Sequence, residues 1–195
     1  MIRILLAGLL GGLVAFVWSA VVHMNPLTAA LGLSMFNEKE DAVLAELRSH
    51  DLSPGLYFFP GMDMSKSMTK EQEAAWTAKF KAGPSGLLLL QPKGGKPMEP
   101  GQLLMEFLST ALCAIIAATI LATTIGSVTV RAIMVAMMGL FGWLALSVSQ
   151  WTWYHYPFSF IALDLIDQTV GWLLAGFVIA KLVKPIQPWG RKESL

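Results

Sequence analysis

Charge is scarce in this chain. Only 14% of its 195 residues are Asp, Glu, Lys or Arg, against about a quarter in a soluble globular domain, which excludes an ordinary water-soluble enzyme. Cysteine is almost absent: Cys113 stands alone, so an internal disulfide and any multi-cysteine metal centre are ruled out. Neither sign of charge dominates, the formal net charge being +1, whereas a nucleic-acid partner would demand a basic face or stripe. Catalytic signatures are missing too, with no G-x-S-x-G elbow, no H-E-x-x-H helix, no glycine-rich phosphate loop and no C-x-x-C-H haem attachment. The expectation is a non-enzymatic protein with no resident cofactor or metal. What the chain has in quantity is apolar surface, 55% of its residues, gathered into long runs.

Residues Ile4 to Val22 form a run whose only polar side chain is Ser19. At ~1.5 Å per residue it is long enough to cross a hydrocarbon core of ~30 Å. A cleaved signal peptide is the competing reading, favoured by Arg3. The apolar run is too long for one, and cleavage after Ala20 would need a small residue where Trp18 stands. Phe107 to Ile125 and Ala132 to Val148 are two further uncharged runs, parted by a short stretch that ends in Arg131. Gln168 to Ala180 is too short to cross alone. A helix beginning after Pro157 reaches spanning length by taking in Asp164 and Asp167, with Lys181, Lys184 and Pro185 marking its end. The predicted organisation is a first span over 1–25, an outer domain over 26–100, three spans at about 103–125, 128–149 and 158–183, and a tail over 185–195.

Arg3, Arg131, Lys181, Lys184, Arg191 and Lys192 all flank one side of these spans, while the connection from Gln150 to Asp167 carries no Lys or Arg. The positive-inside rule then places both termini in the cytoplasm and residues 26–100 outside. The aromatic stretch QWTWYHYPFSF reads as a headgroup-level belt in the third connection.

The outer segment holds 17 of the chain's charged residues in near balance. Glu38 to His50 has an amphipathic spacing of Val43, Leu44 and Leu47, with Asn37 as its expected cap and acidic residues in its first turn. GLYFFP from Gly55 and GLLLLQP from Gly86 read as strands. Thr69 and Gln72 form a capping box opening a helix over Lys70 to Phe80. The predicted fold is thus membrane all-α, a four-transmembrane-helix bundle with a small α/β periplasmic domain between helices 1 and 2. A domain of that size buries little apolar surface and is marginal by itself.

The order of FVWSAVVHM at the end of the first span, NEKEDAVLAEL from Asn37, the GLYFFPG run and GWLLAGFVIAKL from Gly171 resembles a family of uncharacterised bacterial inner-membrane proteins, over nearly the whole length. The resemblance implies four helices in the bacterial inner (cytoplasmic) membrane with a periplasmic insert after the first. It carries over no catalytic or binding residue.

Ionisable groups at or within a span invite functional readings, because charge in mid-bilayer costs at least ~2.5 kcal/mol. Glu106, Asp164 and Asp167 are candidates for an ion or proton site in the outer half. Asp164, Asp167 and Gln168 share one helix face. The competing reading has the two aspartates merely opening their helix and Glu106 sitting at the water boundary. His23 and His155 are candidates for axial ligation of a haem or pigment, against the plainer role of interfacial hydrogen-bonding residues. Cys113, deep in an apolar span, is expected to be buried and inert. Small residues four apart, Gly8 and Gly12, Ala114, Ala118 and Ala122, Gly171 and Ala175, Gly176 and Ala180, mark faces where helices approach closely. Their abundance points to an accessory or structural subunit of a larger membrane complex, for instance a respiratory or photosynthetic one. Its expected partners are the lipid bilayer and other membrane subunits. A small ion- or proton-coupled transport protein and a haem- or pigment-binding protein are the alternatives.

Overall fold

A computed structural model describes residues 1–63 and 65–185. Most of the expected tail over 185–195, with Arg191 and Lys192, lies outside the described residues. The chain divides into two compact units, one of Met1–Ser34, Pro97–Thr152 and the segment from Tyr156 onward, the other of Met35–Lys96 with Trp153–His155.

Among the described residues four helices are long and apolar enough to cross a membrane, and all but the last two residues of α6 belong to the first unit: α1 (Ile2–Met24), α5 (Pro100–Ala122), α6 (Val128–Tyr154) and α7 (Phe158–Leu182). A multi-pass membrane protein follows from them. Between α1 and the second unit lies a short helix that the sequence reading missed, α2 (Pro26–Gly32). Its signal was present: Asn25 caps it, its side-chain oxygen accepting from the Leu27 N–H at 2.9 Å, and Pro26 occupies the first helical position.

The boundaries of α5 and α6 differ from expectation, each for a local reason. α5 begins at Pro100, where the Glu99 N–H is taken up by the Gln102 side chain at 3.0 Å. It stops at Ala122 and not at Ile125, because the Thr123 and Thr124 hydroxyls both turn back to the Ile120 carbonyl. α6 runs on to Tyr154, so most of the aromatic stretch is helix. The link to α7 is three residues, with His155 at φ 57° supplying the reversal.

Small residues set how the helices meet. A Cβ on Gly8 would fall 2.7 Å from the Ile115 Cα and one on Gly12 2.6 Å from the Ala111 Cα, so α1 and α5 touch backbone to backbone. As residue numbers rise on α1 they fall on α5, so the two are antiparallel. Gly11 on the neighbouring face of α1 meets Ile179 and the Ala175 carbonyl, which seats α7 beside α5. Gly176 lies against the Ala132 backbone and Gly139 against the Gln168 carbonyl, which sets α6 antiparallel to α7. Ala114, Ala118, Ala122, Ala175 and Ala180 are all buried. Close approach of this kind is how helices gain packing energy where lipid removes the hydrophobic drive.

Arg131, expected as a flanking charge, is 3% exposed. Its guanidinium donates to the Leu121 carbonyl at 2.8 Å and to the Ala180 and Val183 carbonyls at 3.1 and 2.9 Å. Those are carbonyls at the C-terminal ends of α5 and α7, which have no partner inside their own helices. The two terminal nitrogens of one planar guanidinium serve both ends, while its Nε is buried without a partner.

The second unit holds α3 (Glu40–Ser49), β1 (Gly55–Phe59), α4 (Lys70–Ala82) and β2 (Gly86–Leu90), with β1 and β2 antiparallel in the register Tyr57 to Leu88. Asn37 does not cap α3. It sits at φ 53° and opens a 3-10 turn, Asn37–Lys39, that feeds the helix. Thr69 and Gln72 do form a capping box, at 3.3 and 2.9 Å. Phe58, Trp76 and Phe80 gather on the sheet side of α4, with ring centroids 6.3 and 5.3 Å apart. The Trp76 indole donates to the Pro60 carbonyl at 3.0 Å.

Candidate functional site

α7 brings its two aspartates to different neighbours. Asp164, half-buried, accepts from the Ser147 hydroxyl on α6. Asp167, 5% exposed, turns to α1, where its Oδ2 accepts from the Ser19 hydroxyl at 3.1 Å and lies 3.4 Å from the His23 ring Nε2. Neither lies in the first turn of α7, and both engage other helices, so opening the helix does not account for them. Ser19, the one polar interruption of the first apolar run, was the unread signal of this site. Only a partner 148 positions away makes it meaningful.

The second oxygen of Asp167, Oδ1, is buried without a hydrogen-bond partner, and so is the Trp18 Nε1. Trp18 is held there because Gly171 leaves room: a Cβ at Gly171 would come within 2.8 Å of the indole. An unpaired buried carboxylate oxygen is costly, and in native proteins such a group usually marks a ligand, a proton or a water site.

Asp167 also lines a cavity of about 210 Å³ among α1, α5 and α7. Glu106, Ser109, Thr110 and Cys113 of α5 face it, with Ser19 of α1 and Gln168 and Trp172 of α7. Glu106 is exposed and Asp167 buried, so the cavity has one carboxylate at its rim and one in its wall. Cys113, expected to be buried, is not enclosed by the other helices and lines this space. The Gln168 side-chain oxygen accepts from the Trp172 indole at 3.1 Å, which holds both residues in the wall.

His155 belongs to the second unit and is exposed, while His23 is turned to Asp167. Among the described residues no three His, Cys, Asp or Glu side chains are grouped as a metal site. Gly8, Gly12, Gly171 and Gly176 each meet another helix of this same chain.

No family model matches the chain. No curated protein and no solved structure matches it either.

Proposed function

We propose that this is a non-enzymatic bacterial inner-membrane protein, a four-helix bundle that binds a cation, the proton included, in the outer half of its span. Cytoplasmic termini and a periplasmic 26–100 segment are part of this reading, supported by the Lys and Arg residues flanking one side of the spans. The observation that carries it is Asp167: a carboxylate 95% withdrawn from solvent, with one oxygen unpaired, in the wall of a cavity that has Glu106 at its rim. Two acidic residues lining one small space favour a bound positive charge.

The test is thermal unfolding of the full chain in detergent, titrated with monovalent cations at constant ionic strength. A ligand that binds only the folded state raises the midpoint as its concentration passes the dissociation constant. The midpoint is expected to rise in the wild type and to stay flat in Asp167→Asn and Glu106→Gln. Equal response in all three would refute the reading. Should the bound cation also cross the membrane, vesicle flux abolished by Asp167→Asn would identify a coupled transport protein.

A role as accessory subunit is the second reading, and one observation favours it. Neither α3 nor α4 has a buried residue, and Leu56 and Leu89 on the sheet are 63% and 81% exposed. Such a unit gains from a partner that covers it. Mild-detergent purification that retains stoichiometric companions would support this role, and a lone monomer would end it.

A further inference from the structure

The last turns of α1 carry an exposed apolar stripe. Val17, Val21 and Met24 follow one another at spacings of four and three, so they share one side of the helix and belong to the surface that the spans turn to lipid. The stripe does not stop where the helix does. No ionisable residue stands between His23 and Glu38. Within that stretch Leu27 and Leu31 of α2 are 80% and 57% exposed, and Leu33, just beyond the helix, is exposed as well.

Small and polar residues fix α2 to this end of the bundle. The Thr28 hydroxyl donates to the Val22 carbonyl in the last turn of α1, where helix carbonyls have no partner of their own. Gly32 comes against α7, where an added Cβ would lie 3.4 Å from the Phe160 ring and 3.8 Å from the Leu163 side chain. Thr28, Ala29 and Gly32 are half-buried, whereas Leu27, Ala30 and Leu31 are exposed, so the short helix has a bundle side and an apolar outer side.

Its depth follows from its neighbours. Phe160 and Leu163 belong to the first two turns of α7. The same end of α7 carries Phe158, whose ring lies 6.0 Å from that of Trp151 in the last turn of α6, and both rings are exposed. An exposed Trp at the end of a span marks the level where hydrocarbon meets headgroups, and α2 lies at that level. Water would leave contiguous leucines uncovered, and a docking surface for a soluble protein carries a polar rim that this charge-free stretch does not offer.

We propose that α2 is a membrane-surface helix, which inserts Leu27 and Leu31 into the headgroup and upper acyl region of the leaflet at the N-terminal end of α7. The proposal is independent of the cation-binding reading and of which side of the membrane that end faces. Anchored in this way, α2 holds the exit of α1 against the start of α7, close to where His23 meets Asp167.

The test uses the full chain in a Cys113→Ala background, reconstituted in phosphatidylcholine vesicles, with one nitroxide-labelled cysteine at a time. Leu27→Cys, Ala30→Cys and Leu31→Cys sample α2. Gly94→Cys, where a side chain meets nothing, is the aqueous reference, and Leu112→Cys, exposed midway along α5, is the bilayer reference. Power saturation compares collisions with oxygen, which concentrates in the bilayer, and with a neutral nickel chelate, which stays in water on both sides. The oxygen-to-nickel ratio on α2 is expected to exceed that at Gly94 several-fold, as it does at Leu112. A ratio equal to that at Gly94 would put α2 in water and overturn the proposal. Low collision with both reagents would show another protein surface covering α2 and would overturn it too. All three α2 positions are exposed, and poor folding of one variant leaves the other two to decide.

Discussion

Among the described residues Asp167 and Arg131 are the buried charged side chains of the membrane unit, and each keeps one polar atom unpaired, Asp167 its Oδ1 and Arg131 its Nε. Arg131 has three carbonyl partners from two helix ends. It acts as a clasp, neutralising the negative C-terminal ends of α5 and α7 while tying them to the start of α6. Lysine at this position keeps the charge but presents its donors from one point and cannot fork to both ends. Arg131→Lys is expected to destabilise the protein by about 1.5–3 kcal/mol, the worth of one hydrogen bond to a charged group. A lower thermal midpoint in detergent, with cation binding retained in the folded fraction, is the outcome to look for. Asp167 has a serine hydroxyl and a histidine ring as neighbours and keeps its Oδ1 unmatched.

The elements are shaped by close contact more than by apolar bulk. Gly12→Ala would press a methyl onto the Ala111 backbone, an overpacking of the kind that costs about 1–3 kcal/mol. The same change at Gly94, where an added Cβ meets nothing, should leave the midpoint unmoved, and thermal unfolding of the pair checks both. In the second unit α4 depends on its cap. Thr69→Ala should cost about 1 kcal/mol of local stability, seen as faster amide exchange over Lys70–Ala82. The turn before α4 is also sensitive to acid. The Asp63 carboxyl is held below its ordinary range first by the Ser65 hydroxyl and then by the Ser65 N–H, and Glu71 is held low by its own N–H and the Thr69 hydroxyl. A lowered folded pKa contributes stability above the ordinary carboxylate range, lost as pH falls through the folded value. Protection of these amides, their exchange rate taken relative to the intrinsic rate at each pH, should fall in acid and hold steady near neutrality.

The spans, both strands and the Thr69 capping box were legible because each is written in neighbouring residues: uninterrupted apolar runs, β-forming clusters between Gly and Pro, a Thr three positions before a Gln. The Asn25 cap was equally local and was passed over. Arg131 was illegible for a different reason, since its acceptors stand 10, 49 and 52 positions away and are backbone atoms that any sequence supplies. The pairing of Ser19 and His23 with Asp167 has the same character, and so does the exposure of Cys113, which depends on which side of α5 the glycines of α1 occupy.

At the scale of the whole molecule, the small-residue stripes change meaning. In the sequence they marked faces for packing within the bundle or against another protein's helix, and Gly8, Gly11 and Gly12 of α1, with Gly139 of α6 and Gly176 of α7, are used inside the chain. The orientation proposed for the spans has its own check. In a cysteine-free Cys113→Ala background, a Gly94→Cys variant should be labelled by an impermeant maleimide on intact cells, and a Gly126→Cys variant only after the membrane is opened. The reverse pattern would invert the topology and put the Asp167 cavity in the inner half.

The central claim is that the cavity beside Asp167 is negative and selects cations. It is met most directly by comparing how fast Cys113 reacts with a cationic and with an anionic methanethiosulfonate reagent of similar size, in wild type and in Asp167→Asn. The account predicts that the cationic reagent is faster in the wild type and that the preference shrinks in the variant. Equal rates, or a preference indifferent to Asp167, would contradict it.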